Sequence, residues 1–240
     1  MPPTAPPTAP ATSPAGSGSL AAVAGKTIEI DAGHNGGNSS HTSEINRPIF
    51  IGTGTRACDT VGTETNNGYP EHAFTFDVAL RVESLLQAAG AHVVMTRTSD
   101  TGVGPCIDER AYIANRAHAA VGISIHADGG PTTGRGFCVY MPALTPGYTD
   151  DIYAASHRLG VDIRDEYGAT TGIPAATYAC SSGLAEANNY GGLNLSNVPK
   201  VLFETANMRS ATDAGLIEQA SVRQRIALGI ALGLARYLAG

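Results

Sequence analysis

Two histidines and two glutamates are the residues of this chain best suited to chemistry. His34 follows the β-branched run Thr27–Ile30 in TIEIDAGHNGG, His126 closes VGISIH and Glu204 closes PKVLFE. Glu71, in YPEHAF, stands just before a long helical stretch and faces the loop that precedes it. Two imidazoles and one carboxylate form a catalytic zinc set that leaves a fourth position for water. An ion held this way lowers the pKa of water towards neutrality. A second carboxylate, off the metal, can take the water's proton and pass it to a leaving amine. The chain offers both carboxylates, and spacing alone does not say which would do which. HExxH, in which one helix supplies two ligands, is absent, so distant parts of the chain must converge. The glycines at 33, 36 and 37 let the backbone turn tightly around His34.

The elements that position these residues follow from hydrophobic periodicity. Thr27–Asp31 reads as a strand, and the polar, glycine-rich segment Asn35–Tyr69 follows it. A loop that long inside a compact domain is usually functional. A helix is expected over His72–Ala89, with Val78, Val82, Leu85, Leu86 and Ala89 on one stripe. Gly90 provides its stop. AHVVMTR then reads as a strand, IDERAYIANRAHA as a helix, VGISIHA as a buried strand and GRGFCVYM as another strand. TDDIYAASHRLGVDIRDEYG is a helix, PKVLFE a strand and LIEQASVRQRIALGIALGLARYLA the closing helix. This alternation predicts a single α/β domain with a mostly parallel central sheet flanked by helices on both faces. Ligands of such sheets gather beyond the carboxyl ends of the strands, where His34, His126 and Glu204 fall.

Composition narrows the function classes. The net charge of −6 argues against a nucleic-acid or anionic-membrane surface. No run approaches the roughly 20 apolar residues of a membrane span. Residues 1–25 are expected to form a disordered tether, because its Pro/Ala/Thr/Ser repeat cannot bury a core. It lacks the charged and apolar regions of a signal peptide, although tethers of this kind commonly follow one, or a lipid anchor. Four cysteines, at 58, 106, 138 and 180, include no CxxC pair. An even count at wide spacing suits disulfides in an oxidising compartment, with three pairings open; four buried free thiols in a cytosolic protein are the alternative.

Five segments taken in order carry a family resemblance: IDAGHNGG, YPEHAFTFDVALRVESLLQAAGAHVVMTR, DERAYIANRAHA, ISIHAD and VPKVLFETANM. They resemble the successive motifs of the zinc-dependent N-acetylmuramoyl-L-alanine amidases of the amidase 3 type, over about residues 26–238. The resemblance implies a catalytic domain over 26–240 with a mixed sheet, and Zn²⁺ as cofactor. It implies hydrolysis of the amide joining the lactyl group of N-acetylmuramic acid to L-alanine of the stem peptide. It assigns His34, Glu71 and His126 to zinc and Glu204 to the general base, with Arg110 and Asn115 on a supporting helix. Peptidoglycan or a muropeptide is then the substrate, and a secreted, periplasmic or cell-wall-associated monomer is expected. Two positions depart from the expected pattern. Ala32 replaces a usual proline, and Glu29 stands in a strand that should be apolar on both faces, so it needs exposure or a buried partner.

The remaining candidates are weaker. His41, in the long loop, is a candidate substrate contact, whereas His72, His92, His118 and His157 read as structural. Pairing Cys58 with Cys106 would pin the loop near the metal and leave Cys138 for Cys180, each bridge stabilising by roughly 2–4 kcal/mol. The 35–69 loop is the expected wall or lid of an open, polar groove. Two rival readings use the same residues: a non-catalytic peptidoglycan-binding or regulatory module, marked by loss of a ligand or of Glu204, and another zinc hydrolase such as a deacetylase or peptidase.

Overall fold

The computed structural model describes residues 19–240; residues 1–18, the greater part of the expected tether, lie outside the described residues. A 3-10 turn over Ala21–Val23 sinks Val23 completely into the core, with Leu20 packed beside it. This short apolar run has surface to bury.

The elements run β1 (Thr27–Ala32), α1 (Thr42–Ile45), β2 (Pro48–Phe50), β3 (Thr55–Ala57), α2 (Glu71–Ala88), β4 (His92–Met95) and α3 (Ile107–Arg116). They continue with β5 (Val121–Asp128), β6 (Cys138–Pro142), α4 (Tyr153–Thr171), β7 (Leu184–Ala187), α5 (Gly191–Asn194), β8 (Lys200–Asn207), α6 (Ala211–Ile217) and α7 (Ala220–Ala239). Six strands form the central sheet in the order β4-β1-β5-β8-β6-β7. It is parallel except where β6 runs antiparallel to β8, so the sheet is mixed as expected. Ile28, Ile30 and Ala32 point from β1 into the main core with Phe74, Val78 and Val82 of α2 and Ile226 and Ile230 of α7. The opposite face of β1 carries Glu29 and Asp31, and Asp31 meets Arg110 of α3. Helices therefore cover both faces of one α/β domain.

The alternation on β1 accounts for Glu29. Its carboxylate pairs with Lys200 Nζ of β8 at 2.7 Å, and neither side chain has any exposure. The partner foreseen for Glu29 is thus a lysine two strands away. Burial pushes the Glu29 carboxyl up to about 7 against the opposing pull of Lys200, and its Oε2 has no hydrogen-bond partner. Such a pair is costly to break and cheap to replace. Lys200→Met alone should therefore destabilise by about 3–5 kcal/mol, and Glu29→Leu added to it should recover most of that loss, as read by chemical denaturation.

Two expected boundaries shift in ways that matter for the site. Strands β5 and β8 run past His126 and Glu204, to Asp128 and Asn207, so these residues sit inside strands rather than at their tips. The register between β5 and β8 slips between His126 and Asp128, a bulge of the kind that re-aims side chains at the rim of a sheet. Helix α2 begins at Glu71 itself, whose N–H donates to Thr63 O at 2.8 Å. The 35–69 segment is also more ordered than its composition suggests, holding α1 and the β2–β3 hairpin.

A disulfide joins Cys58 to Cys106. The second expected bridge is not formed: Cys138 and Cys180 are free thiols. Cys138 is buried on β6, and Cys180 donates weakly to the carbonyls of Phe137 and Ala176 instead.

Candidate metal centre

His34 sits just past β1 with φ of 60°, a left-handed conformation uncommon outside glycine. Its neighbours hold it there. Arg97 Nε and Arg110 Nη1 both donate to Ala32 O, at 3.0 and 2.8 Å, and Thr75 Oγ1 donates to Gly33 O at 2.7 Å. These bonds fix the turn that a proline at position 32 would otherwise stiffen. Gly33 is required by contact, since a Cβ there would lie 2.3 Å from His126 Cε1. Gly62 is similarly constrained, with a would-be Cβ 2.8 Å from both Glu71 Oε2 and His34 Cδ2.

Three side chains from three elements meet at this point. Glu71 Oε1 lies 3.2 Å from His34 Nε2 and 3.1 Å from His126 Nδ1. All three donor atoms fall within 4.8 Å of one another, and the two imidazoles stand edge to face. Neighbouring ligands around a tetrahedral ion with bonds of about 2.0–2.1 Å are roughly 3.3 Å apart, so both carboxylate–imidazole separations fit a metal. Two nitrogens and one carboxylate oxygen are a donor set suited to zinc. The carboxylate is held in place, because Oε2 accepts from Thr63 N at 2.9 Å and Oε1 from Ala127 N at 3.1 Å. Burial works against the charge on Glu71, but His34 and His126 hold its carboxyl well below the ordinary range. His34 is likewise buried, and Glu71 and Asp59 raise its pKa well above the usual value.

Glu204 is the fourth member. Its backbone pairs with His126 across β5 and β8, and both residues line a cavity of about 560 Å³ with His34 and Glu71. Burial, reinforced by the charges of Glu71 and Asp128, pushes the Glu204 carboxyl well above the usual range. Its Oε2 is buried without a hydrogen-bond partner. A carboxyl held this way is ready to exchange a proton with something in the cavity.

The far side of His34 was not evident from sequence. Its Nδ1 faces Thr60 O at 3.0 Å and Asp59 Oδ1 at 3.3 Å. Arg110, itself buried, bridges Asp59 Oδ2 at 3.1 Å and Asp31 Oδ1 at 2.6 Å. Asp59 could have been noticed only as the acid following Cys58. Asn115 lies away from the metal, fastening the end of α3 to Leu195 O and Asn197 N. His41 turns back on its own loop, with Nδ1 2.8 Å from Gly37 O, and does not line the cavity. His72 pairs with Asp100 at 2.8 Å beside Arg97. The hairpin and the irregular segment after it line the cavity through Arg56, Asp59, Thr60 and Thr63, and Tyr190 lines it as well.

A protein-family model described as N-acetylmuramoyl-L-alanine amidase matches residues 28–236. The N-acetylmuramoyl-L-alanine amidase Rv3717 of Mycobacterium tuberculosis is 40% identical over 224 residues, covering 93% of this chain and 90% of that protein. LytC, an N-acetylmuramoyl-L-alanine amidase of Bacillus subtilis, is 30% identical over 90% of this chain and 36% of its own length. The crystal structure of the N-acetylmuramyl-L-alanine amidase Ami1 from Mycobacterium smegmatis superposes with a TM-score of 0.85 at 40% identity, covering 90% of this chain and 98% of that one.

Proposed function

The chain belongs to the N-acetylmuramoyl-L-alanine amidase family, and we propose that it uses zinc held by His34, Glu71 and His126, with Glu204 as general base. The reaction is hydrolysis of the amide between the lactyl group of N-acetylmuramic acid and L-alanine of the stem peptide in peptidoglycan. The observation that carries this reading is the convergence of three metal-capable donor atoms within 4.8 Å beside a buried carboxyl with an unpartnered oxygen. Zinc, when bound, supplies Lewis acidity, lowering the pKa of water and polarising a carbonyl.

The remaining work falls to the chain. Glu204 takes the proton of the attacking water at its free oxygen and returns it to the departing amine of L-alanine, so that a neutral amine leaves. Its buried setting beside Glu71 and Asp128 raises its affinity for the proton it takes. Thr63 N and Ala127 N keep the Glu71 carboxylate charged and oriented. Gly33 leaves room for the His126 ring. The cavity wall formed by the 55–63 segment holds the peptide against the base. The non-catalytic alternative predicts a missing ligand or base, and all four side chains are in place.

No helix among the described residues is long and apolar enough to cross a membrane. Action on the cell wall implies export, and we read the protein as a secreted or cell-wall-associated monomer. Metal removal tests the mechanism. Dialysis against a chelator should abolish release of free stem peptide from muropeptides, followed by mass spectrometry, and one equivalent of zinc should restore it. Undiminished cleavage by the metal-stripped protein would refute the zinc mechanism.

A further inference from the structure

The Cys58–Cys106 disulfide lies between the two supports of the outer edge of His34. Cys58 directly precedes Asp59 and Thr60, the residues that face His34 Nδ1. Cys106 precedes the first residue of α3, the helix that carries Arg110 one turn later. Arg110 in turn holds Asp59 Oδ2, with Asn35 Nδ2 on the same oxygen at 3.1 Å. We propose that this disulfide and Asp59 act together as a positioning device that sets the metal affinity of the site, by clamping the Asp59–Thr60 segment against His34. The inference rests on the reading of His34 as a zinc ligand.

His34 cannot hold its own orientation. Its backbone is in a sparsely populated conformation, and its Nε2 must point at Glu71 and the metal. The ring is oriented from the other nitrogen, whose polar neighbours among the described residues all lie on the 59–60 segment: Thr60 O, Thr60 Oγ1 and Asp59 Oδ1. An acceptor on the second nitrogen fixes tautomer and ring plane in metal-binding histidines.

The segment is hung from weak elements. It is reached through a four-residue helix and a hairpin of three-residue strands, structures too short to persist alone. Backbone bonds from Cys58 N to Arg47 O, from Asp59 N to Ile45 O and from Ile107 N to Cys58 O fix it locally. Only the disulfide ties it covalently to α3, across a sequence separation of 48 residues. Removing that tie leaves the outer support of His34 resting on hydrogen bonds alone.

The test is the zinc dissociation constant, measured by competition with a chromogenic chelator on the metal-free full chain. The proteins compared are the parent, Cys58→Ser/Cys106→Ser, Asp59→Ala, Asp59→Asn and a Cys138→Ser/Cys180→Ser control. Loss of outer-sphere partners typically weakens metal binding by about 10–100-fold. That loss is expected for the Cys58/Cys106 pair and for Asp59→Ala. Asp59→Asn keeps one acceptor oxygen for His34 but sets its amide N–H groups against Arg110 Nη2 and Asn35 Nδ2, so it should recover part of the affinity lost in Asp59→Ala. The control should stay within about threefold of the parent, and a purely structural role would not produce this partial rescue. Circular dichroism establishes that each variant is folded. If the Cys58/Cys106 variant does not fold, Asp59→Ala, which keeps the disulfide, decides. Parental affinity in the folded variants would overturn the inference alone. A parent that binds no zinc would overturn the metal reading as well.

Discussion

Glu204→Gln is expected to lower turnover by about 10²–10⁴-fold while leaving metal content and fold intact. The substitution keeps the size and shape of the side chain and removes only its capacity to take and return a proton. Glu204 is buried with one oxygen unpartnered, and burial and the charges of Glu71 and Asp128 push its carboxyl upward. A neutral amide escapes that repulsion, so the variant should melt at the parental temperature or above it. A catalytic group held at a cost to stability behaves this way. The comparison is made on one muropeptide preparation by mass spectrometry, beside elemental analysis and thermal melting of both proteins. Parental turnover in the variant would remove Glu204 from the mechanism.

Glu71→Ala is expected to do more damage, by a different route. The carboxylate meets both histidines and accepts from Thr63 N and Ala127 N, so it links α2, the end of the 35–69 segment and β5. Its loss removes a proposed ligand and leaves the buried Ala127 N–H and the part-buried Thr63 N–H without their acceptor, at up to about 1–3 kcal/mol each. Metal content should fall below roughly a tenth of the parent, and hydrolysis should be lost with it. Acid should act through the same carboxylate in the metal-free parent. A carboxyl held below its ordinary value stabilises the fold above that value, and the contribution is lost as pH falls towards the depressed one. The metal-free parent should therefore lose stability below about pH 4.5 by an increment that Glu71→Ala lacks, measured by denaturation at several pH values.

What was legible in the sequence followed from patterns with few alternatives. The run Thr27–Ile30 ending at Gly33-His34 marks a strand feeding a tight turn, and the helix stripe from Val78 to Ala89 marks its buried face. His126 and Glu204 stood out as polar residues in apolar strands. Their true placement inside those strands was hidden because the bulge between His126 and Asp128 depends on pairing with β8. Lys200 could not be matched to Glu29, since strand order brings them together across 171 residues. The role of Asp59 was hidden for a related reason. As proposed, it depends on a disulfide partner just before α3 and on Arg110 within that helix. The unbridged Cys138 and Cys180 mark the limit of pairing by elimination, because an even cysteine count does not by itself join the last two thiols.

The most direct test of the proposed zinc centre is anomalous diffraction at the zinc edge from crystals of the zinc-loaded protein. One peak is predicted, about 2.0–2.2 Å from His34 Nε2, His126 Nδ1 and a Glu71 carboxylate oxygen, with Glu204 beside it and not bound to it. A peak at any other set of side chains, or one ligated by Glu204 in place of Glu71, would contradict the assignment.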